Sequence, residues 1–129
     1  MRRDLSSNIG VAQAIVPAVK AAAADGITVD TKGFSSVAFI VNTGAIVSDG
    51  DFGVVVQESD TTTGGDFTAA HADFVDSNAP ATLVASSTYK LGYRGNRRYV
   101  RLQLTKAGGT SIALGAVAIL GHADKTPVA

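Results

Sequence analysis

The most constraining feature of the sequence is residues 89–104, where two period-two alternations flank a turn signal. The apolar positions of these alternations are Tyr89, Leu91, Tyr93, Val100, Leu102 and Leu104. Such a period is typical of strands with one buried face and one solvated face. Gly95-Asn96 lies between the two runs and tolerates positive φ, as a short hairpin connection requires. We therefore predict a β-hairpin here, with the rest of the chain folded around it.

Composition favours one β-rich domain. The chain has 129 residues, of which 46% are hydrophobic, and it contains no Trp. A domain of this length buries roughly two-thirds of its unfolded surface, and a core of Val, Ile, Leu and Ala suits strands. The absence of cysteine excludes a disulfide scaffold and a thiolate zinc site. No apolar run approaches the ~20 residues of a membrane span, and the N-terminus only superficially imitates a signal peptide.

Further strand-like segments recur about every ten residues and are separated by turn signals. They are Ile27–Val29, Ser36–Asn42, Phe52–Glu58, Phe67–Ala70, Thr82–Ala85 and Ile112–Leu120. The unbroken apolar run at residues 37–41 predicts a strand covered on both faces, and Ala45–Val47 is interpreted as a connection. Gly115 predicts a bulge or a close approach in the last strand. The spacing predicts an all-β, single-domain antiparallel β-sandwich or barrel-like fold over residues 1–129.

The two ends of the chain differ from the middle. Met1–Asn8 and His122–Ala129 are polar and lack periodicity, so we predict an extended N-terminal arm and a C-terminal tail. Ile9–Ala24 allows two interpretations: a short helix opened by Pro17, or a strand in which Pro17 marks an edge or a bend. We favour the extended form.

Charge is zero overall but unevenly distributed. Seven acidic residues and no Lys or Arg lie from Asp49 to Asp76, whereas six basic residues and no acid lie from Lys90 to Lys106. The two segments can compensate each other within one domain, where an exposed pair contributes only ~0–1 kcal/mol. Alternatively, opposite charges on two surfaces would steer association with a copy or a partner. We favour compensation within the domain.

No catalytic or cofactor motif stands out. His71, Asp73 and Asp76 could ligate a metal, but a solvated acidic loop accounts for them better; Asp49-Gly-Asp51 is read as a β-turn rather than a calcium loop. The chain lacks a Gly-x-Ser-x-Gly elbow and a phosphate-cradling loop, and has only two histidines. We predict no enzyme activity, no cofactor and no metal site.

An arginine and tyrosine cluster follows the first strand of the expected hairpin. Its members are Tyr93, Arg94, Arg97, Arg98, Tyr99 and Arg101. Arg can neutralise phosphate and Tyr can stack on bases, so a nucleic-acid surface is one interpretation. The neutral overall charge favours the other, in which these residues form the solvent-exposed rim and face of the hairpin. Arg and Tyr are also favoured in protein interfaces.

Several segments together carry a family resemblance. They are Gly33-Phe34 before an apolar strand, Val54–Asp60, Tyr93–Arg101 and the closing strand Ile112–Gly121. In pattern and order, from Leu5 to Gly121, the chain resembles small virion structural proteins of tailed bacteriophages and prophages, most of all the head decoration, or cement, proteins.

The resemblance implies a homo-oligomeric subunit, for which a trimer is the expectation, on the outer surface of a virion capsid. The partner would be a separate major capsid protein, without membrane or nucleic acid, and the subunit would be made in the host cytoplasm. The implied interface residues are Arg2, Arg3, Arg94, Arg97, Arg98, Tyr99 and Arg101. Two alternatives remain: a tail or head–tail connector protein, and a carbohydrate-binding β-sandwich module, which would need an aromatic platform built from the three tyrosines.

Overall fold

The computed structural model describes residues 5–62, 66–80 and 82–123. The strands are β1 (Gly10–Lys20), β2 (Ala24–Asp25), β3 (Val29–Asp30), β4 (Phe34–Val47), β5 (Asp51–Ser59), β6 (Thr68–Ala69), β7 (Val75–Ser77), β8 (Thr88–Tyr93), β9 (Tyr99–Gly108) and β10 (Ser111–Ala123). Short 3-10 helices lie at Ser6–Asn8 and Ala72–Phe74.

These strands form two antiparallel sheets. The first sheet has the order β1-β10-β4-β8-β7, and the second has the order β2-β9-β5-β6, with β3 also paired to β9. The sheets share one hydrophobic core and are not closed into a barrel. The predicted all-β antiparallel sandwich is therefore confirmed in its sandwich form.

Alternate side chains of both sheets build the core. Phe39 and Val41 enter it from the first sheet, and Phe52, Val100 and Leu102 from the second; all five are fully buried. Complete burial of a side chain of this size contributes ~1.5–3 kcal/mol, so the core is the main source of stability.

The predicted hairpin at residues 89–104 is wrong, although its strands are right. The alternation is confirmed, since Leu91, Tyr93 and Leu104 are buried. However, β8 pairs with β4 and β7 in the first sheet, whereas β9 pairs with β5 in the second. Gly95-Asn96 therefore lies on a crossing between the sheets. Period-two alternation identifies a strand and its buried face but carries no information about its partner.

Strand β4 is longer than predicted and is covered on one face. The structure continues it to Val47, so Ala45–Val47 is strand and not connection. Val37, Phe39 and Val41 are buried, whereas the intervening side chains are only half-buried. The prediction of a strand covered on both faces is therefore wrong for the described residues of a single subunit.

Residues 10–20 form an edge strand, which confirms the extended interpretation. The pairing of β1 with β10 is irregular between Ile15 and Ala18, where Pro17 lies. A Cβ at Gly115 would lie 2.8 Å from the Pro17 ring, which confirms the predicted close approach. Pro17 is tolerated here because an edge strand can lack one N–H donor at a bulge.

Several other boundaries differ from the predictions. Ser6–Asn8 is a 3-10 helix rather than an extended arm, and residues 1–4 lie outside the described residues. His122 belongs to β10 and not to a tail, of which residues 124–129 also lie outside. The predicted strand at Thr82–Ala85 is a loop, from which the side chain of Leu83 inserts into the core.

A corner at Gly26 joins the two sheets. The Gly26 N–H donates to the Leu102 carbonyl of β9 at 2.6 Å, and the Ile27 N–H donates to the Ala14 carbonyl of β1 at 2.7 Å. A Cβ at Gly26 would lie within 2.6 Å of both carbonyl oxygens, so only glycine fits between these strands. This corner fixes how β1 sits against the second sheet.

Candidate assembly interface

The crossing between β8 and β9 carries three half-exposed arginines at one end of the sandwich. Arg94 makes a two-pronged contact with Asp76 of β7, at 2.7 and 3.1 Å, and donates to the Asp73 carbonyl. Arg97 pairs with Asp60, which follows β5. These two aspartates come from the acidic middle of the sequence, so part of the predicted compensation takes place inside the subunit.

Arg98 pairs with an acid from outside the acidic segment. It binds both carboxylate oxygens of Asp30 in β3, at 2.8 and 2.9 Å, and its guanidinium lies 5.0 Å from the centre of the Tyr99 ring. The hydrogen bonds from Arg98 lower the pKa of Asp30 from 3.8 to about 2. The same pair raises the pKa of Arg98. The contact therefore stabilises β3 on β9 whenever Asp30 is ionised.

Arg101 differs from the other arginines because its side chain is buried. Its Nε donates to the Gln57 side-chain oxygen at 2.7 Å, and its terminal nitrogen lies 3.6 Å from Asp25. The Phe67 ring covers the guanidinium at 4.2 Å. In the isolated subunit Arg101 thus joins β9, β5 and β2, with little surface left for a partner.

A hydrogen-bonded contact joins the two sheets beneath the segment that connects β8 to β9. The Tyr93 hydroxyl of β8 donates to the Glu58 carboxylate of β5 and accepts from the Arg97 N–H at 3.3 Å. Burial, reinforced by the bond to Glu58, raises the pKa of Tyr93 to about 12. Position 95 requires glycine, because a Cβ there would collide with the Tyr93 ring.

The predicted interface residues therefore divide into groups. Arg94, Arg97, Arg98 and Tyr99 come together at one end of the sandwich, whereas Arg101 lies within the subunit. Arg2 and Arg3 lie outside the described residues.

The three tyrosines do not share one surface. Tyr93 is buried. The Tyr89 hydroxyl accepts a hydrogen bond from the N–H of Val84, which lies in the loop before β8. Tyr99 is half-buried beside Arg98. An aromatic platform of the kind a carbohydrate module needs is not formed by these side chains.

Sequence reasoning missed a second surface, which we call the outer apolar face. It consists of the outward side chains of β1, β10 and β4, which are Val11, Gln13, Pro17, Val19, Ala38, Ile40, Asn42, Ala113, Gly115, Val117 and Ile119. Val11, Ile119 and Ala38 lie in one register row, and Gln13, Val117 and Ile40 lie in another. Val117 is 42% exposed and Val11 is 72% exposed. The other outward side chains of this face are exposed or half-buried in the described part of the subunit.

The outer apolar face contains a groove of about 680 Å³. Pro17 and Val19 of β1 line one side, Ile40 and Asn42 of β4 line the other, and Ala113 belongs to the lining between them. None of the described residues that line the groove is charged. The apolar face ends at β8, where Lys90 is the register partner of Ile40. The arrangement can bury apolar surface, but it offers no acid, base or nucleophile for chemistry.

The signal for this face was present in the sequence. Every residue from Val37 to Val41 is apolar, so both faces of β4 are apolar. This pattern predicted that both faces are covered by other parts of the protein. The second sheet covers the inner face of β4, whereas the outer face of β4 belongs to the outer apolar face.

The described residues contain no group of three or more His, Cys, Asp or Glu side chains able to hold a metal. His71 and Asp73 lie 3.4 Å apart, whereas Asp76 pairs with Arg94 instead of joining them. No helix of the described part is long and apolar enough to cross a membrane. No protein-family model matches the chain, and no match was found among curated proteins or solved structures.

Proposed function

We propose that this chain is a non-enzymatic structural subunit that works by association, and specifically a bacteriophage capsid decoration protein. The observation that carries the association part is the outer apolar face. Apolar patches of this kind on a soluble protein mark interaction surfaces, because leaving them in water is unfavourable. Here three neighbouring strands present apolar side chains, and the central strand β10 carries the patch from Ala113 to Ile119.

The capsid assignment rests on the resemblance in sequence to head decoration proteins. An antiparallel sandwich with its own core suits that role, since the subunit must be folded before it attaches. The proposed mechanism is mechanical: each copy would bridge neighbouring capsid subunits and raise the energy needed to separate them. Many copies on one closed shell would add avidity to a modest single contact.

The charged end of the sandwich is proposed as a second contact. Arg94, Arg97 and Arg98 are about half exposed, so each can bind a partner carboxylate beside its internal one. Rim charges of this kind mainly raise the association rate and set orientation.

The test is cryo-electron microscopy of purified particles from the source, with density assigned to this chain. Density on the outer capsid surface is the expected result. Density in the tail or at the head–tail junction would favour the connector alternative, and absence from every particle would overturn the virion proposal.

Binding of the purified protein to undecorated capsids tests the contact through the charged end. The charge reversal Arg97→Glu with Arg98→Glu should slow attachment if the charged end touches the capsid. Lys20→Glu with Lys106→Glu, a double charge reversal at the other end of the sandwich, is the control. Equal attachment of both variants would remove the charged end from the proposal.

A further inference from the structure

We propose that the outer apolar face is covered by the same face of a second copy, in a twofold symmetric dimer. This inference deepens the proposed function, since it names the partner of a surface on which that function rests. In such an interface one patch on each subunit serves both sides, so the patch must complement itself.

The charge pattern points to a second copy. The groove is lined by uncharged residues, so a matching surface must also be uncharged and apolar. The outward surface of the second sheet does not qualify, because it carries the half-exposed carboxylate of Asp25 and the polar side chain of Gln103. Other exposed apolar side chains, such as Ile27 and Phe74, lie outside the strands and offer no broad surface. Among the described residues, the surface that fits is the outer apolar face itself.

Shape supports the same pairing. Pro17 and Val19 stand along the edge strand, whereas Gly44 and Ala113 keep the adjoining surface low. A twofold axis through the face places the raised edge of each copy over the low surface of the other. Stacked sheets pack ~10 Å apart in this way, with interdigitated side chains.

The size of the face sets the expected strength. Three strands ~4.8 Å apart and about eleven residues long at ~3.3 Å each cover ~500 Å² in projection. A standard interface buries ~800 Å² of accessible surface per partner, so the face lies at the lower end of that class. The dimer is therefore reversible, and its fraction rises with protein concentration.

Sedimentation equilibrium of the purified protein across a hundredfold concentration range tests the inference. The expected result is a mass that rises from 13.1 kDa for one chain toward twice that value. Val117→Lys places a charge in the middle of the face and should weaken the dimer by at least about tenfold, because each ammonium group would lose water on association. Phe74→Lys is the matched control, since Phe74 is 45% exposed beside β7, at the opposite edge of the first sheet from β1.

Cross-linking gives a second readout, which tests where the two copies touch. The chain has no cysteine, so Val117→Cys and Phe74→Cys each introduce a single thiol. A short bis-maleimide should link Val117→Cys into dimers and leave Phe74→Cys monomeric. Circular dichroism of all variants checks that the fold is kept.

A monomer at every concentration, a trimer, or a dimer equally weakened by both lysine variants would overturn the inference. Capsid binding by the Val117→Lys variant separates this failure from failure of the proposed function. A monomeric wild type that still binds capsids would leave the function standing and end the dimer proposal.

Discussion

Asp30 is a residue whose charge contributes to stability in a defined pH range. Its pKa in the folded chain is about 2, below the ordinary 3.8, because Arg98 binds the carboxylate. A lowered pKa means that the stabilisation is present above pH ~4 and is lost as the pH falls through about 2. Asp30 also accepts a hydrogen bond from the Lys32 N–H, which an asparagine would retain.

Asp30→Asn should therefore lower the free energy of unfolding by about 0.5–1 kcal/mol at pH 6, a modest value because the pair is exposed to solvent. The difference from the wild type should shrink between pH 4 and pH 2. Urea unfolding at several pH values measures this. A difference that stays constant down to pH 2 would show that the ion pair is not its cause.

Tyr93 behaves in the opposite sense, because its pKa is raised to about 12. The neutral hydroxyl is the stabilising form, so its contribution is complete below pH 10 and is lost between pH 10 and pH 12. Tyr93→Phe should cost about 1–2 kcal/mol at pH 7, since it leaves Glu58 without its donor.

The alkaline absorbance titration of tyrosine checks this assignment. The chain has three tyrosines and no tryptophan, so the phenolate signal is clean. The wild type should show a component near pH 12 that Tyr93→Phe lacks. If the two titrations differ by a component near pH 10 instead, burial and the bond to Glu58 do not raise the pKa of Tyr93.

Among the elements, the Gly26 corner between β2 and β3 is sensitive to substitution. Gly26→Ala should destabilise the fold by about 2–4 kcal/mol, because a methyl group there meets two backbone carbonyls that cannot move apart without separating β1 from β9. Gly108→Ala is the control: a Cβ at Gly108 meets nothing within 4 Å, so a change within ~0.5 kcal/mol is expected. Thermal unfolding of both variants decides whether the corner is as tight as described.

The strands β8 and β9 show how far the sequence could predict this fold. Their alternation correctly identified Leu91 and Leu102 as core residues, because side-chain period is a local property. Their partners were not predictable, since a two-residue Gly-Asn turn and a crossing between sheets begin with the same residues. Arg98 illustrates the same limit, because its acid lies 68 residues away.

The outer apolar face could be anticipated only in part. The apolar run at residues 37–41 predicted that both faces of β4 are covered, and the structure of the single subunit covers only one of them. It could not indicate that β1 and β10 extend the same surface, because their pairing joins residues about 100 positions apart in the chain, such as Val11 and Ile119.

At the scale of the whole molecule, its two kinds of surface should respond differently to salt. Self-association through the outer apolar face should persist or strengthen from 0.1 M to 1 M NaCl, because no charge is buried there. Capsid attachment through the arginine end should weaken, since the screening length falls from ~10 Å to ~3 Å over that range. Sedimentation and capsid co-sedimentation at both salt concentrations measure the two effects. Equal salt dependence of both would mean that one surface serves both contacts.

The position of β10 has a consequence for biosynthesis. This strand lies between β1 and β4, yet it is the last of the ten to leave the ribosome. Until it emerges, β1 has no strand partner in the first sheet and β4 can pair only with β8, so this sheet is completed only after residues 111–123 have been translated. A protein built this way spends its synthesis exposed to aggregation and depends on chaperones at that stage more than one assembled from consecutive hairpins.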